Sequence, residues 1–213
     1  SYCSTPTIEG TRIRRRSTDA VIDSIKRWAE KGFRRVFFVD NTFNLPPSFA
    51  RRLCARLAAE GLDLSWRAIV YPGGLTEGLV RDMAGAGCRE VRLGFESGDP
   101  QMLAAMNKRF GPEEIRNAVR LFSDHGIRQM GFLLLGGPGE TRASVEGSLA
   151  FVDTLALDTV KLTVGVRIYP ETRVAEIARE RGIIDADDDL LHPRFYLEPG
   201  LETWLPPLIE EWA

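Results

Sequence analysis

Histidine and cysteine are scarce in this chain, and their scarcity narrows the available chemistry. His125 and His192 are the only histidines in 213 residues, so metal ligands at strand ends are poorly supplied. The three cysteines are odd in number and widely spaced, which excludes a disulfide framework. No apolar run approaches the ~20 residues that a membrane helix needs. A formal net charge of −2 gives no global reason to expect nucleic acid or an anionic membrane as partner. There is no low-complexity linker and no composition break that would mark a second large domain. What is present, 44% hydrophobic and 27% charged residues, is enough for one sizeable core.

The cysteines sit in different settings. Cys54 lies among Phe49, Ala50, Leu53, Leu57 and Ala58 at helical spacing, as a core residue does. Cys88 follows Gly85-Ala86-Gly87 at a helix-to-strand turn. Cys3 differs: it stands in a polar loop running to Thr11, and the pattern predicts that a further strand precedes Ser1. Arg12, Arg14, Arg15 and Arg16 form the one dense basic cluster, either a solvated approach to the next helix or an anion contact near a site.

Helices and strands then alternate. Ser17, Thr18 and Asp19 offer N-caps to a helix that places Val21, Ile25, Trp28 and Ala29 on one face and stops at Gly32. Arg35 to Asp40 contains the unbroken run Val36-Phe37-Phe38-Val39, which predicts a parallel strand buried on both faces. A helix from Pro46-Pro47-Ser48 to Gly61 follows. Strands are expected at Leu64 to Val70, Arg89 to Phe95, Arg128 to Leu135 and Thr159 to Ile168. Their helices run from Thr76 to Ala86, from Asp99 to about His125 with a break at Gly111-Pro112, from Arg142 to Leu155 and from Thr172 to Arg181. Five strands, each followed by a helix, give an α/β chain with right-handed crossovers. With the expected upstream strand this becomes six β/α units, so the chain itself is a partial (β/α)6 TIM-like barrel lacking its first strand. Residues 1–182 form this core, and 183–213 form a C-terminal extension with an acidic, exposed Asp185 to Asp189 and a short helix at Trp204 to Trp212.

In such architectures the reactive groups gather where the strands end. These positions are the Cys3 loop, Asp40-Asn41-Thr42, Tyr71 to Gly74, Glu96-Ser97-Gly98, Gly136 to Thr141, and Arg167 with Tyr169-Pro170. Closely spaced glycines at Gly136, Gly137 and Gly139 let a ligand approach the backbone, and the next helix N-terminus favours negative charge. Glu140-Thr141 also serves as a cap for that helix. Glu96 and Asp40 are each either an N-cap or a carboxylate for a ribose hydroxyl or an ammonium group. Lys108 is either a solvated helix end or a cation reaching back to a carboxylate.

These segments together resemble the radical S-adenosylmethionine (SAM) superfamily, most closely the branch in which a cobalamin-binding domain precedes the radical domain. Ser1-Tyr2-Cys3 matches the end of that family's Cys-x-x-x-Cys-x-aromatic-Cys motif. Gly94-Phe95-Glu96-Ser97 with Met106-Asn107-Lys108, Leu133 to Thr141, Ile168-Tyr169-Pro170-Glu171-Thr172 and Phe38 to Asn44 match later segments in order.

The resemblance implies a 4Fe–4S cluster with one open iron, to which S-adenosylmethionine binds and at which it is cleaved to a 5′-deoxyadenosyl radical. It implies Cys3 as an iron ligand, the Tyr2 backbone against the adenine, and Glu96 with Ser97 facing the ribose or the methionine end. Lys108 pairs with the methionine carboxylate, Gly136, Gly137, Pro138 and Gly139 pass close to the cofactor, and Asp40 stands where the family binds the methionine amine. It also implies a small-molecule substrate, an electron donor such as a flavodoxin or ferredoxin, cobalamin held by an upstream domain, and a cytoplasmic enzyme that methylates or rearranges its substrate. The other two cluster cysteines are expected upstream, and the 213 residues alone are expected to be inactive. Glu171 replaces the family's usual glycine. Two other readings stay open on the residues alone: a cluster-free β/α-barrel lyase that uses the Gly136 loop for phosphate, and a non-catalytic binding domain.

Overall fold

A computed structural model describes residues 2–212, so Ser1 of the Ser1-Tyr2-Cys3 motif lies outside the described residues. Helices α1 (Thr5–Glu9) and α2 (Thr18–Glu30) come first. They lead to β1 (Arg35–Phe38), α3 (Pro47–Ala59), β2 (Ser65–Val70), α4 (Glu77–Gly85) and β3 (Cys88–Glu96). Two helices follow β3, α5 (Pro100–Ala105) and α6 (Pro112–Asp124), before β4 (Arg128–Leu135), α7 (Arg142–Asp153) and β5 (Thr159–Val164). The chain ends with β6 (Val166–Ile168), α8 (Arg173–Glu180), β7 (Arg194–Tyr196) and α9 (Leu205–Trp212).

Strands β1 to β5 form one sheet in sequence order, every pair parallel. This is the partial α/β barrel that the alternation predicts. One face of each strand carries the core: Val91, Leu93 and Phe95 of β3 are completely buried with Leu133 and Leu135 of β4 and with the helices. The residues between them, Glu90, Arg92, Gly94 and Glu96, face the opposite, inner side, following the period of two along a strand. Ser17, Thr76, Asp99, Thr141 and Thr172 cap the helices that follow them, each side chain accepting from a backbone N–H in the first turn.

Several expectations are corrected. Among the described residues β1 stands at the end of the strand order and is not buried on both faces: its residues are exposed or half-buried, and Val39, just past its end, is 75% exposed. On α2 the buried residues are Ile22 and Ile25, while Trp28 is 54% exposed and stacks edge-on against Phe33. The first polar loop contains the short helix α1.

The expected strand from Thr159 to Ile168 divides at Gly165, whose φ of +80° turns the chain out of the sheet. β5 stays in the sheet and β6 pairs antiparallel with β7, a strand the sequence did not disclose. The extension is therefore woven into the fold: Tyr196, Leu201 and Leu205 are buried, and Trp212 Nε1 donates to Asp153 Oδ1 at 3.0 Å. Within its acidic stretch Asp188 is engaged, accepting from Leu190 N at 2.8 Å and Arg194 Nε at 2.9 Å. Among the described residues no helix is long and apolar enough to cross a membrane.

Candidate cofactor site

At the end of β3 the register with β4 shifts between Leu93 and Glu96, and Glu96 takes a φ of +71°. A left-handed conformation costs a residue with a Cβ about 1–2 kcal/mol, and here it sets the carboxylate on the strand-end side. Lys108 reaches it from beyond α5, where Asn107 (φ +61°) reverses the chain and Lys108 N bonds Leu103 O at 2.9 Å. Lys108 Nζ lies 3.5 Å from Glu96 Oε1 and donates to Gly94 O at 2.9 Å, with both charged side chains only 17% exposed.

Tyr2 completes the cluster. Burial, then the Glu96 charge and a hydrogen bond to its carboxylate, push the Tyr2 phenol above its ordinary value. Lys108 Nζ sits 5.8 Å from the centre of the Tyr2 ring and 5.9 Å from that of Phe110.

The Tyr2 ring also lines an apolar cavity of about 260 Å³ with Met102, Met106, Gly137, Pro138 and Val166. A Cβ on Gly137 would sit 3.5 Å from Met102 Cε, 3.6 Å from Met106 Cε and 3.7 Å from Val166 Cγ2, so the bare glycine leaves that volume to a ligand. Gly136 disfavours a side chain for another reason: its φ of +92° is one that L residues rarely adopt, and a Cβ there would also displace the tip of Leu197.

The amides of this loop are taken by the protein's own carboxylates. Glu140, 3% exposed, accepts from Gly136 N and from Gly137 N at 3.1 Å, while its Oε1 has no hydrogen-bond partner. Burial pushes the Glu140 carboxyl up to about 7, against the pull of the two amides. Gly139 N donates to Glu198 Oε2 at 2.7 Å. Thr141, and not Glu140, caps α7. A phosphate at this loop would compete with Glu140 and Glu198 for the same donors, which weighs against the lyase reading.

Of the residues singled out from sequence, Tyr2, Glu96, Lys108, Gly137 and Pro138 come together here, with Gly136 and Gly139 forming the rest of the loop. Cys3 is exposed beside Tyr2. Ser97 is buried away from the cavity, its Oγ 3.0 Å from Ser148 Oγ on α7 and accepting from Asp99 N at 3.1 Å. Asp40 is exposed and lines a different groove of about 640 Å³ along β1, together with Arg12, Arg14, Arg15 and Arg16. Sequence reasoning did not find Val166 or Glu198. It offered Glu140-Thr141 as a cap, which Thr141 is; the Glu140 contact was missed, although a carboxylate directly after a Gly-Pro-Gly turn is within reach of the turn's own amides.

The model of the Radical SAM superfamily matches residues 1–152. This chain belongs to the radical SAM superfamily. An uncharacterised methyltransferase of Pyrococcus horikoshii is 32% identical over 83% of the chain, and the bacteriochlorophyllide d C-12(1)-methyltransferase of Chlorobaculum tepidum is 29% identical over 71%. The chain spans 39% and 34% of the length of these two relatives. The radical SAM methyltransferase TsrM of Kitasatospora setae, solved with cobalamin and a 4Fe–4S cluster bound, superimposes with a TM-score of 0.80 at 25% identity, over 85% of this chain and 34% of that one.

Radical SAM enzymes use a 4Fe–4S cluster and S-adenosylmethionine, and the residues here fit the two groups unequally. Among the described residues no group of three or more His, Cys, Asp or Glu is placed to hold a metal ion. Cys54 and Cys88 are core thiols that burial pushes up to about 12, so neither offers a thiolate. The described residues by themselves do not make a cluster site. The nucleoside and amino-acid parts of S-adenosylmethionine do fit: an apolar slot under a bare glycine stands next to a paired carboxylate and ammonium.

Proposed function

We propose that this chain is the S-adenosylmethionine-handling domain of a cobalamin-dependent radical SAM methyltransferase. In this reading residues 1–182 form the radical core and 183–213 an extension of it. The observation that carries it is the place of Tyr2: its ring stands 5.8 Å from Lys108 Nζ, the partner of Glu96 at the end of β3, while the residue lines the cavity under Gly137, bringing the Cys3 loop to the strand ends. The adenine would lie between the Tyr2 ring and the Gly137-Pro138 backbone. The ammonium of the methionyl part would meet Glu96 and its carboxylate Lys108, the two charges exchanging their mutual pairing for that of the ligand. Cys3 would supply one thiolate of the cluster, and the others would come from outside the described residues. The chain's own share is to bind, to orient and to keep water from the reacting centre. A reducing donor such as a flavodoxin or ferredoxin, an upstream cobalamin-binding domain, a small-molecule methyl acceptor and a cytoplasmic setting belong to the same reading.

The test uses the full-length protein carrying this chain, reconstituted anaerobically with iron and sulfide. Cys3→Ala is expected to lose most of the cluster absorbance and all reductive formation of 5′-deoxyadenosine. A Cys3→Ala protein with wild-type cluster content and cleavage overturns the proposal. Lys108→Met removes one charge-assisted hydrogen bond and is expected to weaken S-adenosylmethionine binding by roughly 10-fold or more while leaving cluster content unchanged.

A further inference from the structure

We propose that Glu198, held in place by Arg181 and Tyr196, is a positioning residue that fixes the glycine loop from the C-terminal segment, so that residues 194–198 form part of the cofactor pocket's support. The inference rests on the reading of that pocket as the S-adenosylmethionine site.

Three separate contacts join the segment to the loop. Gly139 N donates to Glu198 Oε2 at 2.7 Å, Glu198 N donates to Gly136 O at 3.0 Å, and the tip of Leu197 occupies the place where a Cβ on Gly136 would stand. Glu198 therefore grips the loop at both ends, on either side of Gly137 and Pro138, which line the cavity. The carboxylate is itself fixed: Tyr196 OH donates to Oε2 at 2.7 Å, and Arg181 Nη1 donates to Oε1 at 2.7 Å and to Tyr196 OH at 2.5 Å. Burial pushes Glu198 up, yet the hydrogen bonds from Tyr196, Gly139 and Arg181 hold it below the usual carboxylate range. The same contacts favour the charged form, which is the acceptor that Gly139 N needs.

The second wall depends on the same segment. Val166 lines the cavity from β6, and β6 has β7 as its strand partner, through Val166 opposite Tyr196 and Ile168 opposite Arg194. Gly165 N also ties the start of β6 to Leu135 O, at 2.7 Å, immediately before the loop. Two sides of one cavity are thus braced by five consecutive residues of the tail. A tail that only covered the barrel would need neither the acceptor at 198 nor the strand at 194–196.

The experiment compares wild type, Glu198→Ala and Glu198→Gln in the reconstituted full-length protein. Hydrogen exchange is read at the peptide containing residues 136–141 without S-adenosylmethionine, and equilibrium binding of S-adenosylmethionine is measured without reductant. Glu198→Ala is expected to raise exchange at Gly139 at least 10-fold with β2, β3 and β4 still protected, and to weaken binding about 10-fold. Glu198→Gln keeps an acceptor oxygen for Gly139 N and is expected to restore most of both, which a general loss of packing would not allow. Unchanged exchange in Glu198→Ala overturns the inference, as does raised exchange with wild-type binding. If Glu198→Ala raises exchange as expected but the wild type binds no S-adenosylmethionine, the functional reading fails and Glu198 fixes a loop that is not a cofactor loop. The exchange arm shows which of the two claims has failed.

Discussion

Glu140 is a buried carboxylate whose neighbours oppose one another. Two loop amides favour its charge, while burial, together with Asp99 and Glu198, disfavours it, and burial is the larger effect. Its carboxyl is raised from 4.5 in the unfolded chain to about 7 in the folded one. The folded state therefore keeps a proton through a window in which the unfolded state has lost it. The resulting stability is fully present below pH 4.5 and is lost as pH rises through about 7. The amount is on the order of 3 kcal/mol. Urea unfolding of Glu140→Gln between pH 4.5 and 8 is expected to show a flatter profile than wild type across this window. Its gain at pH 8 should be smaller than the full amount, because an amide NH₂ in place of the unpartnered Oε1 finds no acceptor. An unchanged slope would assign the proton elsewhere. Glu171 presents a simpler case: it holds φ +58° at the position where the resemblance leads one to expect glycine. Glu171→Gly relieves a left-handed side chain and is expected to stabilise by about 1 kcal/mol in the same assay, after the entropy that a glycine adds to the unfolded chain.

The elements show which signals a sequence carries. Repeated apolar runs closed by glycines placed β1 to β5 and their helices within a few residues, because each unit buries its own stripe against its neighbour. The strand-end location of Glu96 and the glycine loop was legible for the same reason. Gly165 was not legible. Thr159 to Ile168 reads as one continuous strand, and only the left-handed turn at Gly165 sends its last three residues to a partner some 28 positions later. No local pattern announces β7, whose flanking residues serve the loop and not a sheet face. The pairing of Tyr2 with Glu96 was equally hidden, since the resemblance pointed to the Tyr2 backbone and the side chain makes the contacts. Gly165→Ala tests the division directly. A Cβ there meets Tyr196 O at 3.3 Å on a backbone that L side chains avoid. The substitution is expected to cost about 2 kcal/mol and to loosen β6 and β7 before the five-stranded sheet, read as earlier exchange of residues 194–196.

Across the whole molecule, the inner face of the sheet carries charge well before the strand ends where the proposed cofactor site lies. Phe37, Arg67, Glu90 and Arg128 lie in register across β1 to β4. Glu90 is the single carboxylate among three guanidinium groups, 3.6 Å from Arg67, 3.8 Å from Arg92 and 3.4 Å from Arg128. Arg67 and Arg92 also stand 4.9 Å from the centre of the Phe37 ring, one aromatic ring serving two cations. Each ion pair alone is worth little, because Arg67 and Arg128 are well exposed. The set differs from its parts: without Glu90 three like charges would face one another across three adjacent strands, and Arg92 Nε, already without a hydrogen-bond partner, would lose its nearest anion. Glu90→Gln is expected to destabilise the chain by about 1–2 kcal/mol in low salt, with roughly half recovered at 1 M sodium chloride, where the Debye length falls to about 3 Å. Arg128→Gln removes the most exposed of the three cations and is expected to cost less than 1 kcal/mol. In the double variant the two effects should not add, since the repulsion left by losing Glu90 is relieved by losing Arg128. An additive double variant, or a Glu90→Gln deficit indifferent to salt, would mean that the row across β2, β3 and β4 is held by packing and not by charge.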